Sequence, residues 1–224
     1  MENTKEQQYQ FLLELENEGG LTSLGLMTNA IWHTDPRRLL FLLSRYKFVA
    51  KMVTGKKRVL EVGCGDAFGS VLVKQEIPHL TAVDFDPSFV KDIKARMNPK
   101  WPIECKVHDI LSGPIEGELF DAAYSLDVLE HIEKESEDIY MKNVHASLNQ
   151  NGVIILGMPS IHSQAYASKT SKEGHVNCKN ADEFRQLVEK YFHNVFLFSM
   201  NDEVLHTGFS PMSHYFFAMG VGKK

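Results

Sequence analysis

The chain has 224 residues, 43% hydrophobic and 24% charged, with a net charge of −5. That length suits one large domain with its own core, and an acidic balance lacks the basic stripe of a nucleic-acid binder. Cys64, Cys105 and Cys178 stand far apart without CxxC spacing, so neither a disulfide framework nor a zinc site is expected. The polar start has no signal-peptide apolar region. No apolar run approaches the ~20 residues of a membrane span, and a cytoplasmic protein is the expectation.

Residues 1–20 read as a helix with Phe11, Leu12 and Leu15 at helical spacing, ended by Gly19-Gly20. Leu21 to Thr34 is a mixed segment holding Trp32 and His33. Asp35-Pro36 is a helix start, with the acid as cap and proline in the first position. Leu39, Leu42, Leu43, Tyr46, Val49 and Met52 carry that helix to Gly55. Residues 1–55 thus form a helical prefix, expected to cover the sheet edge, to close over a bound cofactor, or both. Strands then alternate with helices. Strands are expected at 58–62, 80–84, 103–107, 120–126 and 153–158, with helices near 68–76, 87–97 and 135–148. Residues 159–179 show no clean period. A helix over 181–191 and strands at 195–200 and 214–221 close the chain. This alternation predicts a doubly wound α/β sheet, whose ligands bind at the carboxyl ends of the strands.

The residues at those ends carry the chemistry. Gly63 and Gly65 remove two β-carbons where the first strand stops, so backbone can approach a ligand closely. Glu61, an acid inside an apolar strand, requires a partner. Asp84 ends the second strand, where a carboxylate can accept from ribose hydroxyls, and Phe85 beside it can cover a purine face. Asp109 follows the third strand and can accept from an exocyclic amine. Ser125 and Asp127 end the fourth, ahead of Glu130 and His131. A nicotinamide fingerprint GxGxxG fails at Phe68, and no glycine–lysine phosphate loop is present.

These stretches, Val59-Leu60-Glu61-Val62-Gly63-Cys64-Gly65, Ala82-Val83-Asp84-Phe85-Asp86, His108-Asp109-Ile110, Phe120 to His131 and Leu148 to Val153, resemble the class I S-adenosylmethionine-dependent methyltransferases over about residues 56–160. The resemblance implies a Rossmann-like, mostly parallel sheet of seven strands whose last strand is antiparallel. It places the helical prefix, 1–55, in the same domain as a methyltransferase core, 56–224. The cofactor it implies is S-adenosyl-L-methionine, with Gly63 and Gly65 at the methionine part and Glu61 ordering their loop. Asp84 would hold the ribose, Phe85 would flank the adenine, and Asp109 with Ile110 would bind its edge. Ser125 and Asp127 would lie near the methionyl end, and Arg45 and Tyr46 would close over the methionine carboxylate. Where the family often has a third glycine this chain has Ala67, and with Gly69 following, a slightly shifted turn is expected.

The resemblance implies a methyltransferase, read here as acting on a small molecule, at an oxygen of a polar or anionic metabolite. A nucleic-acid or protein methyltransferase and a non-catalytic cofactor-binding module are the alternatives. No nucleic-acid or membrane partner is expected. For the base that a hydroxyl acceptor needs, His175 and His206 are the leading candidates, because histidine titrates near neutrality; Asp127 is a further one. His33, Arg37, Arg45, Asn177 and Asn201 are candidate acceptor-binding groups, the arginines because a guanidinium pairs with a carboxylate or phosphate. His131 reads as a structural residue at a helix start. His145, His162, His193 and His214 share no ligand-like spacing, and no metal is predicted.

Overall fold

The apolar runs after Lys57 become the strands of one sheet. A computed structural model of the chain describes residues 3–117 and 119–224; Met1 and Glu2, the head of the expected first helix, lie outside the described residues. The strands are β1 (Arg58–Val62), β2 (His79–Asp84), β3 (Glu104–Val107), β4 (Phe120–Leu126), β5 (Leu148–Pro159), β6 (Phe192–Asn201), β7 (Val204–His206) and β8 (Tyr215–Lys223). Their order across the sheet is β3-β2-β1-β4-β5-β8-β6-β7. β1 to β5 are parallel neighbours, while β8 runs antiparallel between β5 and β6. The expected seven strands are all present, the last of them antiparallel. The eighth, β7, is a three-residue strand that turns back on the end of β6, too short to show alternation in sequence.

The helices are α1 (Gln10–Gly19), α2 (Leu26–Thr34), α3 (Arg38–Val53), α4 (Ser70–Lys74), α5 (Pro87–Arg96), α6 (Glu137–Ser147), α7 (Lys169–Gly174) and α8 (Ala181–Glu189). The central strands are buried on both faces, as a parallel sheet requires. One face packs Tyr46, Val49 and Val53 of α3, Val73 of α4 and Val90 and Ile93 of α5. The other packs Tyr140, Met141 and Val144 of α6 and Phe184, Leu187 and Val188 of α8. Each such side chain contributes about 1.5–3 kcal/mol when fully buried. Phe48 of α3 also lies against Phe198 and Phe217 at 5.1 and 4.5 Å between ring centroids, so the prefix covers the sheet near β6 and β8.

Three local readings change. The mixed segment 21–34 contains α2. The Asp35-Pro36 start moves to Arg38, because the Asp35 carboxylate binds the Arg37 guanidinium at 2.8 Å instead of capping. Segment 159–179 folds as a 3-10 turn, Ile161–Tyr166, and α7. Ser160 and Ser168 cap them by accepting from His162 N and Ser171 N. Both pieces are too short to establish a helical period.

Candidate active site

The chain changes winding direction between β1 and β4, and a cavity of about 650 Å³ opens there at the strand ends. That volume is in the range of small-molecule sites. Its floor is the turn after β1. Gly63, Gly65 and Ala67 all adopt left-handed conformations, with φ of 74, 51 and 52°. A β-carbon on Gly63 would stand 2.3 Å from Val128 Cγ2, so glycine is required there twice over. The expected shift of the turn from Ala67 to Gly69 does not occur. Ala67 takes the strained conformation itself, at a cost of about 1–2 kcal/mol, and Gly69 has φ −71°. The glycine at 69 is explained by packing instead, since a β-carbon there would lie 2.2 Å from the Tyr46 ring.

Buried hydrogen bonds fix this turn. Glu61 accepts from the hydroxyls of Tyr46 at 2.8 Å and Tyr124 at 2.7 Å. Burial pushes its carboxyl up to about 7, against the lowering effect of the surrounding hydroxyls. Asp84 accepts from Gly65 N at 2.9 Å and from Asp86 N at 3.0 Å, so the end of β2 holds the glycine turn. Asp66 accepts from Thr28 N at 2.7 Å and Thr28 Oγ1 at 3.2 Å, which docks α2 over the turn. Arg96 Nη2 donates to the Asp66 carbonyl from the other side. Met27, Thr28 and Ile31 of α2 and Leu42 and Tyr46 of α3 complete the wall. The prefix therefore both covers sheet and closes over the cavity.

Of the residues singled out from sequence, Tyr46, Gly63, Gly65, Asp84, Phe85, Asp109, Ile110 and Asp127 line the cavity. Phe85 is largely exposed at its mouth, and Asp109 Oδ1 accepts from Leu111 N at 2.9 Å. Asp127 is in the left-handed region at φ 57°. Both of its oxygens accept from Arg45 Nη1 at 2.8–2.9 Å, and the Arg45 guanidinium lies 3.8 Å over the Tyr215 ring. Arg45 thus reaches the cavity through Asp127. Ser125 does not face it: buried, its hydroxyl donates to Val62 O at 2.8 Å and ties β4 to β1.

The residues expected to bind the acceptor fare differently. His206 Nε2 bonds Asn201 Oδ1 at 2.7 Å and its Nδ1 accepts from Gly208 N at 3.0 Å, out on the β6–β7 hairpin. Asn201 also donates to Met212 O. Asn177 is buried between Glu137 and Lys179, donating to the first and accepting from the second. Arg37 pairs with Asp35 on the surface, and His33 ends α2, exposed. None of these five lines the cavity. His131, read as structural, does line it, with His175 behind it at 5.1 Å between ring centroids. Met27, read from sequence as core or pocket wall, lines it too, while Thr28, Ile31 and Asp66 were missed. Asp66 stood in the turn; the others carried no signal beyond apolar and small residues.

Comparisons agree with this architecture. A family model described as "Methyltransferase domain" matches residues 59–152. Uncharacterized methyltransferases of Mycobacterium bovis and Mycobacterium tuberculosis are 34% identical over 84 residues, 38% of this chain and 42% of theirs. The match therefore spans about two fifths of those relatives. Among solved structures, N-methyltransferase NodS from Bradyrhizobium japonicum, in complex with S-adenosylhomocysteine, has a TM-score of 0.61 at 20% identity, covering 85% of this chain and 91% of its own. The plantazolicin methyltransferase BpumL, also solved with S-adenosylhomocysteine, has a TM-score of 0.65 at 14% identity, covering 88% and 90%. Residues 59–152 thus match a methyltransferase domain, and the chain shares the fold of these solved methyltransferases.

Proposed function

We propose that the chain is an S-adenosylmethionine-dependent methyltransferase acting on a small molecule, at an oxygen of a polar or anionic metabolite. The observation that carries this reading is the lining of the cavity. Asp66, Asp84, Asp109 and Asp127 contribute to it, while no Lys or Arg does among the described lining residues. Such a wall fits a cationic cofactor without phosphates and argues against a dinucleotide. When bound, S-adenosylmethionine supplies a methyl group made electrophilic by its sulfonium.

The chain's own residues have separate tasks in this reading. Gly63 and Gly65 keep the β1 turn open to backbone approach. Asp84 offers its carboxylate to ribose hydroxyls while it holds Gly65, and Asp109, Ile110 and Phe85 frame a purine. Glu61, fixed by two tyrosines, keeps the turn rigid from below. Met27, Ile31 and Leu42 exclude water from above. At the far end Asp127, Val128 and His131 surround the acceptor's reacting group, and Arg45 orients Asp127. Holding two reactants in line can supply roughly 7–11 kcal/mol of a barrier, so a site built mainly for positioning is sufficient. Among the described residues no helix is long and apolar enough to cross a membrane.

The test is methyl-labelled cofactor incubated with the protein and, in parallel, with a metabolite extract, bulk RNA and bulk protein. Label on the oxygen of a small molecule is the expected product. Label confined to RNA or protein would replace the small-molecule reading, and cofactor binding without turnover on any fraction would favour a non-catalytic module.

A further inference from the structure

Among the described residues, Glu130 is the acid whose buried carboxylate oxygens both lack a hydrogen-bond partner. Its side chain is fully buried. A buried carboxylate in that state is costly. Protonation alone leaves both oxygens without partners, whereas a cation would engage them. Two histidines stand beside it: one ligand atom from each of Glu130, His131 and His175 lies within 4.8 Å of those of the other two. We infer that these three residues bind a divalent first-row transition-metal ion, at the acceptor end of the cavity.

The surroundings of the three groups are those a metal site needs. His131 Nδ1 lies 2.8 Å from the Gly174 carbonyl, and His175 Nδ1 lies 2.8 Å from Gln164 Oε1. Both partners are oxygen acceptors, so each Nδ1 carries the hydrogen and each Nε2 keeps its lone pair. Metal-bound histidines are oriented in this way, with the second nitrogen donating to a carbonyl. The segments are also held together by backbone. The Glu130 carbonyl accepts from Val176 N at 2.8 Å and Asn177 N at 3.0 Å, which fixes His175 against the 3-10 turn Leu129–His131. Two imidazoles and one carboxylate suit zinc, iron or nickel better than magnesium or calcium. The sequence expectation of no metal rested on four other histidines. This set was hidden because His175 lies 44 positions beyond His131 in a segment without a period.

Three protein ligands leave further coordination positions, and His131 lines the cavity. An acceptor hydroxyl bound there would lose its proton to water near neutral pH, and its oxygen lone pair would form the new bond to the methyl carbon as the sulfur–methyl bond breaks and S-adenosylhomocysteine leaves. That consequence rests on the methyltransferase reading; metal binding does not.

The experiment is titration of chelator-stripped protein with Zn²⁺ by calorimetry and with Co²⁺ by its visible d–d absorption. S-adenosylhomocysteine binding is measured on the same samples. The wild-type chain is expected to take up one equivalent of either metal. Glu130→Gln, His131→Ala and His175→Gln should each weaken it by more than about 100-fold, beyond what losing an outer hydrogen-bond partner costs, and Gln164→Ala by about 10–100-fold. Folding of each variant is checked by circular dichroism; His131 is exposed, so His131→Ala serves if the variant at the buried Glu130 does not fold. Absence of binding by the wild-type chain, or binding unchanged in folded variants, overturns the site. Metal uptake without S-adenosylhomocysteine binding would leave the site standing and remove the methyl-transfer reading; the reverse result removes the metal alone.

Discussion

Around β1, β2 and β4, polar side chains reach across the chain: Glu61 to Tyr46 and Tyr124, Asp66 to Thr28, Asp127 to Arg45. At the other end of the sheet, His206, Asn201 and Gly208 bond within one hairpin and its neighbouring turn. The first set pulls helices of the prefix and ends of strands toward one cavity. The second set stabilises its own loop, and none of its residues lines the cavity between β1 and β4. Polar residues on loops at a sheet edge are therefore a poor guide to the site here; polar residues bonded between distant segments are a better one.

The largest expected effect comes from the turn. Gly63→Ala adds a β-carbon against Val128 at a left-handed position, and should cost about 2–4 kcal/mol of stability and abolish S-adenosylhomocysteine binding. Chemical denaturation with calorimetry checks both; an alanine variant that binds normally would break the comparison at its strongest point. Asp127→Ala is next. It leaves the Arg45 guanidinium without its carboxylate, at about 1–3 kcal/mol, and Arg45→Met in the same chain should recover part of that loss in thermal unfolding.

A pH series sharpens the role of Glu61. Its folded value, about 7, is above the ordinary 4.5, so the folded chain holds the proton more tightly than the unfolded one. Its contribution is intact below 4.5 and is lost as pH rises from 4.5 toward about 7. Glu61→Gln should remove that decline, and denaturation curves across the window would show an unchanged slope if the account is wrong. The smallest effect belongs to His206→Ala. It should leave S-adenosylhomocysteine affinity unchanged and cost about 0.5–1.5 kcal/mol for its lost hydrogen bonds; a large loss of affinity would mean the hairpin does reach the cavity.

The sheet was legible because Val59, Leu60 and Val62, and Phe120 to Leu126, carry buried-strand patterns bounded by turn residues. The floor of the cavity was legible because Gly63, Gly65, Asp84 and Asp109 sit at fixed offsets from strand ends, where the fold itself brings them together. Its helical wall was not. Thr28 and Ile31 carry no chemistry that marks a site, and the part of α2 that faces the cavity, with Met27, is apolar or small like a core-facing stripe. His131 and His175 meet only through backbone bonds that no local pattern records. Ser125 was misplaced by an odd feature of strands: alternation puts neighbouring side chains on opposite faces, and this one turns toward the β1 carbonyl.

The central claim is that the cavity above Gly63 binds the adenosyl part that S-adenosylmethionine shares with its demethylated product, through Asp84. Calorimetric titration of the folded chain with S-adenosylhomocysteine tests it most directly. One site per chain, lost on Asp84→Ala in a variant that keeps its circular dichroism spectrum, is the predicted result. No binding by the wild-type chain, or equal binding by the variant, would contradict it.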